Sequence, residues 1–316
     1  MQKVIFDTDP GVDDAMALLF LARHPEVDLV GVTTTFGNAP IDITTNNALF
    51  LRREFGFSAP IAKGSGDKYQ PGRETHPFPT FIHGDDGLGN IGVPDMSGEP
   101  LDPRPAHEFL IDMIKAHPGE ITIVAVGRMT NLANALRVAP EITRLVKQVV
   151  IMGGAVDVPG NVNPAAEANI HGDPEAADAV MVADWPVVLV GLDVTLKTVM
   201  TRSELAALAA RGGPAVELLD RLSQFYIDFY SGQVEDAMVV HDTCACVYVV
   251  APELFVTRPG AIRVLTTGIG EGKTMQKPDG MRFGPSAWDG LPSQLACMDV
   301  KAAELLALVE ETLVRQ

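Results

Sequence analysis

The chain has 316 residues, 47% hydrophobic and 21% charged, which is ample for a large α/β core; no linker or composition shift divides it, so residues 1–316 read as one domain. Its 24 basic and 41 acidic residues leave a net charge of −17, which excludes nucleic acid and anionic membrane as main partners and leaves room for a neutral or cationic small molecule, or a metal ion. Three cysteines imply no disulfide framework, and Cys244 and Cys246 read as buried small apolar residues.

Short β-branched runs alternate along the chain with helix-length amphipathic segments. The strand 3-KVIFD-7 leads into a helix over 11–23, and 28-DLVGVTT-34 into one over 43–55. A helix over 104–116 precedes 121-ITIVAV-126, and a helix over 130–138 precedes 148-QVVIM-152. Asp173 and Pro174 form a good N-cap and first-turn pair for a helix over 174–183, ahead of 187-VVLVGL-192. The second half reads as more helical, over 202–211, 214–231 and 242–251, with a terminal helix beginning at Asp299. This alternation predicts an α/β fold, a mostly parallel central sheet with helices on both faces. Two Gly- and Pro-rich loops, 64–100 and 153–172, are long enough to expect function there. The opening residues hold too short an apolar run for a signal peptide, and no later run approaches a membrane span, so a cytoplasmic protein is expected.

Ligands of open α/β sheets bind at the carboxyl ends of the strands, and the informative residues cluster there. The first strand ends in 7-DTDPGVDD-14, four aspartates within eight residues. Helix capping accounts for one or two of them, Asp9 or Asp13, but not for four mutually repelling carboxylates. A hard divalent cation held by oxygen ligands would, and Ca²⁺ suits this donor set better than Zn²⁺ because no Cys or His lies nearby in sequence. An EF-hand is excluded, since the twelfth position from Asp7 is Leu18 rather than glutamate. A phosphate-cradling Walker loop is excluded too, because 268-GIGEGKT-274 is one residue short between its glycines. Later strand ends carry 33-TTTFGN-38, 127-GRMTN-131 and the loop with Asn161, Asn163, Glu167 and Asn169, and 241-HD-242 opens an apolar helix.

Together these landmarks resemble the nucleoside hydrolase family of the inosine–uridine-preferring type. The resemblance runs through DTDPGVDDAMAL at 7–18, GN at 37–38, VGRMTN at 126–131, VIMGGA at 150–155, the GN…AEAN loop at 160–169, DPEAA at 173–177 and HD at 241–242. It implies a Rossmann-like fold and Ca²⁺-dependent hydrolysis of ribonucleosides to ribose and free base. Asp9, Asp14, the Val126 carbonyl and Asp242 would bind the ion. Asp13, Asn38, Asn161, Glu167 and Asn169 would hold the ribose hydroxyls. Cleaving an N-glycosidic bond passes through an oxocarbenium-like state and needs an activated water, for which Asp9 is the expected general base. His241, beside an ion-binding aspartate, is the expected acid for the leaving base. The family has a base-contacting histidine where His83 stands. It also uses the helix carrying Phe225, Tyr226, Phe229 and Tyr230 as a wall of the base pocket, with Phe225 or Phe229 the expected contacts. Ala168 departs from the phenylalanine common in the family and leaves base preference open between an inosine–uridine and a pyrimidine-specific type. The family is usually dimeric or tetrameric, and a homodimer or homotetramer is expected. An aspartate-nucleophile phosphatase fits less well, because Arg128 is the one basic residue in these strand-end motifs. A non-catalytic calcium- or ribose-binding protein would keep the aspartates but has no need of His241.

Overall fold

The computed structural model describes residues 1–231 and 235–315. In its first half, β1 (Gln2–Thr8), α1 (Val12–Arg23), β2 (Val27–Thr34), α2 (Ile41–Phe55) and β3 (Ile61–Lys63) succeed one another. A one-turn helix α3 (Thr80–His83) follows within the long loop, then α4 (Ala106–Ala116), β4 (Ile121–Ala125), α5 (Thr130–Val138) and β5 (Gln148–Met152). Next come α6 (Ala168–Gly172), α7 (Pro174–Met181), β6 (Val187–Val190), α8 (Leu192–Thr195), β7 (Val199–Thr201), α9 (Arg202–Gly212) and α10 (Pro214–Tyr230). The chain ends with β8 (Ala237–Val239), α11 (Asp242–Val250), β9 (Phe255–Val264), β10 (Thr274–Pro278), β11 (Gln294–Val300) and α12 (Ala302–Leu313).

Nine strands form one sheet in the order β10-β9-β11-β6-β5-β4-β1-β2-β3. Every neighbouring pair from β11 to β3 is parallel, and β9 alone runs against the rest. The central strands β4 and β6 are buried along their whole length, as near-continuous Val and Ile runs require when helices cover both faces. Two apolar layers result. One packs α1, α10, α11 and α12 on one face of the sheet, and the other packs α4, α5 and α7 on the opposite face.

The expected parallel α/β core is present, with boundaries shifted by one or two residues at most of the helices. The second half is the more helical, as read, with α6 to α12 in it, but β9, β10 and β11 also extend the main sheet there. Asp299 does not begin the terminal helix: it pairs with Val256 at the end of β11, and α12 starts at Ala302. Helical periodicity in the terminal segment masked the strand ahead of it, and Pro259-Gly260 inside β9 reads locally as a turn. Asp173 caps α7 as expected, its carboxylate accepting from the Ala176 N–H. Among the described residues, no helix is long and apolar enough to cross a membrane.

Strand order decides where the ligand site lies. From β1 the chain moves outward to β2 and β3, then returns to the other side of β1 with β4. The connections after β1 and β4 therefore diverge, opening a crevice at the carboxyl ends of these two strands. Asp9 follows β1 and Val126-Gly127-Arg128 follows β4, so both sets of residues face that crevice.

Candidate active site

A cavity of about 310 Å³ occupies the crevice. Asp9, Asp13 and Asp242 form its floor with Asn38 and Val126; Asn161, Glu167 and Asn169 border it from the 153–172 loop; and His83, Phe229 and His241 also line it. Asp14 lies directly beneath, with carboxylate oxygens of Asp13, Asp14 and Asp242 all within 4.8 Å of one another. Residues up to 233 apart in sequence thus meet at one place (242 − 9). Phe225 is not among the lining residues; its Cβ faces Gly89 of the long loop instead. The inward face of α10 is set by Leu222, Tyr226 and Tyr230, one helical turn apart, which turns Tyr226 and Tyr230 into the cavity and Phe225 away from it.

The four N-terminal aspartates have separate duties. Asp7 accepts from Thr33 Oγ1 at 2.5 Å and from Asn131 Nδ2 at 2.8 Å, fastening β1 to its neighbours away from the cavity lining. Asp14, rather than Asp9 or Asp13, caps α1: its Oδ2 accepts from the Gly11 N–H at 2.9 Å and from Asn38 Nδ2 at 2.8 Å, and its Oδ1 from Thr8 Oγ1 at 2.5 Å. Asp9 Oδ2 accepts from the Asn38 N–H at 2.7 Å. The other Asp9 oxygen and Oδ1 of Asp13 are buried with no partner among the described residues. Burial holds Asp9 well above the usual carboxylate range, and the neighbouring Asp14 adds to it. Asp242 is raised by burial and by Asp13, Asp14 and Asp9 around it. A dication among these oxygens would satisfy the orphaned atoms and remove the mutual repulsion, so the donor set fits a hard, oxygen-ligated ion.

Two glycines leave room for Asp9. A Cβ on Gly37 would sit 1.9 Å from Asp9 Oδ2, and one on Gly127 would sit 2.4 Å from Oδ1. Neither contact is sterically possible, so an added methyl must displace the carboxylate. Gly127→Ala is expected to cut kcat by about 10²-fold, as misplacement of a reacting group by ~1 Å does. Circular dichroism should remain that of the parent protein; a kcat within threefold of the parent would mean that the position of Asp9 does not matter.

The polar loop is organised by its own side chains. Glu167 caps α6, accepting from the N–H groups of Asn169, Ile170 and Gly154 at 2.8, 3.1 and 2.9 Å. Asn169 donates to the Val126 carbonyl at 2.6 Å, tying α6 to the end of β4. Asn161 accepts from the Ala168 N–H at 3.0 Å. Ala168 itself is exposed and lines the cavity with a methyl only.

The structure gives the two histidines their partners. His83 is buried rather than hanging free in its loop; its Nδ1 accepts from the Val12 N–H at 3.3 Å, and burial pushes it down to about 3. His241 does not pair with Asp242. Its Nδ1 meets Thr195 Oγ1 at 2.9 Å and its Nε2 faces the Tyr230 hydroxyl at 3.5 Å. Burial without a carboxylate partner pushes His241 down to about 4. Tyr226 packs between His83 and Tyr230, with ring centroids 5.4 and 4.8 Å away, and Phe81 meets Phe229 at 5.6 Å. The cavity lining thus includes a cluster of aromatic rings, and it also includes the basic residues Arg128, His76 and His171. Sequence spacing gave no sign that His76 and His171 would meet.

Comparison with known proteins covers nearly the whole chain. Residues 4–307 match the family model described as inosine-uridine preferring nucleoside hydrolase. A probable uridine nucleosidase 2 of Arabidopsis thaliana is 38% identical over 99% of this chain and 97% of its own. The inosine-uridine preferring nucleoside hydrolase of Leishmania major is 35% identical over 85% of this chain and 86% of its own. Among solved structures, a plant nucleoside hydrolase superposes with a TM-score of 0.95 at 37% identity, covering 100% of this chain and 99% of that one. A purine-preferring ribonucleoside hydrolase from Gardnerella vaginalis does so with a TM-score of 0.91 at 32% identity, covering 99% and 98%. The chain belongs to the inosine-uridine preferring nucleoside hydrolase family.

Proposed function

We propose that this protein hydrolyses the N-glycosidic bond of ribonucleosides, uridine foremost, releasing ribose and free base, and that it does so with a bound Ca²⁺. The observation that carries the reading is the crowding of Asp9, Asp13, Asp14 and Asp242 on the floor of one cavity, two of their buried oxygens unpartnered. Asp9, Asp14, Asp242 and the Val126 carbonyl would hold the ion. When bound, it supplies positive charge among the carboxylates and polarises an oxygen ligand.

The remaining work falls to side chains. Asp9, with one oxygen fixed by the Asn38 N–H and the other free, takes the proton of the attacking water. Asp13, Asn38, Asn161, Glu167 and Asn169 surround the sugar with donors and acceptors matched to vicinal hydroxyls. The base stacks among Tyr226, Phe229 and Tyr230 of the lining. His241 is neutral at neutral pH in the free protein, so its role as acid rests on its single N–H. In the tautomer that has the Thr195 hydroxyl donating to Nδ1, that proton sits on Nε2, which faces the Tyr230 hydroxyl, and this is the tautomer the acid role requires. Uridine is placed first because the Arabidopsis relative is named a uridine nucleosidase; the Gardnerella structure, named purine-preferring, supports purine ribonucleosides as the second reading.

Reducing-sugar release from uridine, cytidine, inosine, adenosine and guanosine, with and without chelator, tests the reading. Chelator-sensitive release, fastest from uridine, is expected. Fastest release from inosine or guanosine would favour the purine reading, and release from none would overturn hydrolysis. Run in parallel, His241→Ala should lose far more on uridine than on p-nitrophenyl riboside, whose leaving group needs little protonation. Equal losses would make His241 structural.

A further inference from the structure

The basic residues lining the cavity are not accounted for by a neutral nucleoside. Arg128 is 6% exposed and lines the cavity; the nearby charges of Asp9 and Asp173 favour its charged form, yet it makes no ion pair with either among the described residues and its Nη1 is buried without any partner there. Carboxylates that are near but make no direct contact leave the guanidinium's hydrogen-bonding capacity unmet, which gives a group that accepts from it a place to bind. Its seat is built. The guanidinium lies 4.3 Å over the Phe36 ring, and Gly172 leaves the space it fills, since a Cβ there would sit 2.4 Å from Nε. Lys68 is buried close by, also outside any ion pair among the described residues, whereas Arg73 is consumed by Glu175 and Glu271. At the mouth, the His76 and His171 rings stack with centroids 4.7 Å apart. The net effect is a patch of cationic and N–H donor groups inside a protein of net charge −17.

The patch is tied to the sugar side of the site by the chain itself: His171 and Gly172 lie on α6 with Asn169, one of the residues proposed to hold the ribose. We infer that Arg128, with Lys68, His76 and His171 around it, forms a subsite for an anionic oxygen group carried by the sugar, a phosphate above all. The protein would then act on ribonucleoside monophosphates as well as ribonucleosides. The bond broken is unchanged: water's oxygen goes to C1′, the base leaves with a proton, and the phosphate ester stays intact. The inference rests on the proposed ribose site in the same cavity.

The test is direct calorimetric binding of D-ribose and D-ribose 5-phosphate to the full-length protein with Ca²⁺, so that turnover is not required. Ribose 5-phosphate is expected to bind about tenfold or more tighter than ribose, the gain of charge-assisted hydrogen bonds to a buried cation. Arg128→Gln should bring the two sugars within about twofold of each other, and Arg128→Lys, which keeps the charge, should retain part of the difference. Binding of ribose with no advantage for the phosphate would overturn the subsite and leave the hydrolase reading standing. Binding of neither sugar would overturn both. An Arg128→Gln protein that loses ribose and ribose 5-phosphate equally would make Arg128 a support of the cavity floor. Orotidine, whose carboxylate is on the base, serves as the spatial control: an Arg128-dependent gain there, absent for ribose 5-phosphate, would place the anion on the base rather than the sugar and defeat the assignment.

Discussion

Replacing Asp9 with asparagine is expected to lower kcat on uridine by about 10³-fold while leaving the fold and ribose binding in place. The substitution is nearly isosteric, which matters because Gly37 and Gly127 leave no space for anything larger. The asparagine oxygen can still accept from the Asn38 N–H, as Asp9 Oδ2 does at 2.7 Å. What is lost is the capacity to take a proton at the other oxygen, and one charge from the ion site. Single-turnover rates, with ribose affinity measured separately, distinguish the two losses. If the base role is the main one, the rate falls far more than ribose affinity does. A rate within tenfold of the parent would remove Asp9 from that role.

Removing the cation should reveal the crowding of the aspartates as a dependence of stability on pH. Burial pushes Asp7 up to about 7 from its ordinary 3.8, and raises Asp13, Asp14 and Asp242 as well, helped by their mutual repulsion in the case of Asp13 and Asp242. A carboxyl whose value is raised on folding binds more protons in the folded state than in the unfolded one. Stability therefore falls as pH rises from about 4 through the folded values near 7 and above. In chelator, Tm should drop across that window. Calcium competes with the protons of Asp13, Asp14 and Asp242, though not with that of Asp7, which lies away from the cavity, so it should stabilise more at pH 8 than at pH 5, by about 5 °C at saturating ion for a chain of this size. Scanning calorimetry at the two pH values, with chelator and with calcium, gives the answer. Equal stabilisation at both, or none, would mean that the carboxylates are not sharing an ion.

Much of this was legible in the sequence because it is written locally. The β-branched runs that became β1, β2, β4, β5 and β6 are short, apolar and spaced by amphipathic segments, and such runs become buried parallel strands whatever surrounds them. The aspartate cluster was conspicuous because its charge cost is a property of spacing alone. The Asp173-Pro174 cap is similarly a three-residue matter. By contrast, β9 to β11 were missed because a Pro-Gly step and a neighbouring helical period speak against strands locally; their pairing partners lie elsewhere in the sheet.

Within the site, residue types could be listed from the sequence, but their division of labour could not. Which of four aspartates caps α1, which ties down β1 and which keeps a free oxygen depends on hydrogen bonds from Thr8, Thr33, Asn38 and Asn131. The choice of Tyr226 and Tyr230 over Phe225 follows from how α10 is rotated against the cavity, a matter of packing that aromatic content does not encode. His241 could be named from its place next to Asp242 in the chain, but its partners could not: side chains of adjacent residues at a helix start diverge, and the imidazole turned to Thr195 and Tyr230. Arg128 stood in the sequence as an isolated cation; only the fold brings Lys68, His76 and His171 from two other loops to its side and denies it a partner. The sequence by itself determined the chemistry available, because charge, hydroxyl and amide are carried by residue type. The tertiary structure decided which of those groups are buried, paired or left open, because only burial fixes what water can no longer satisfy.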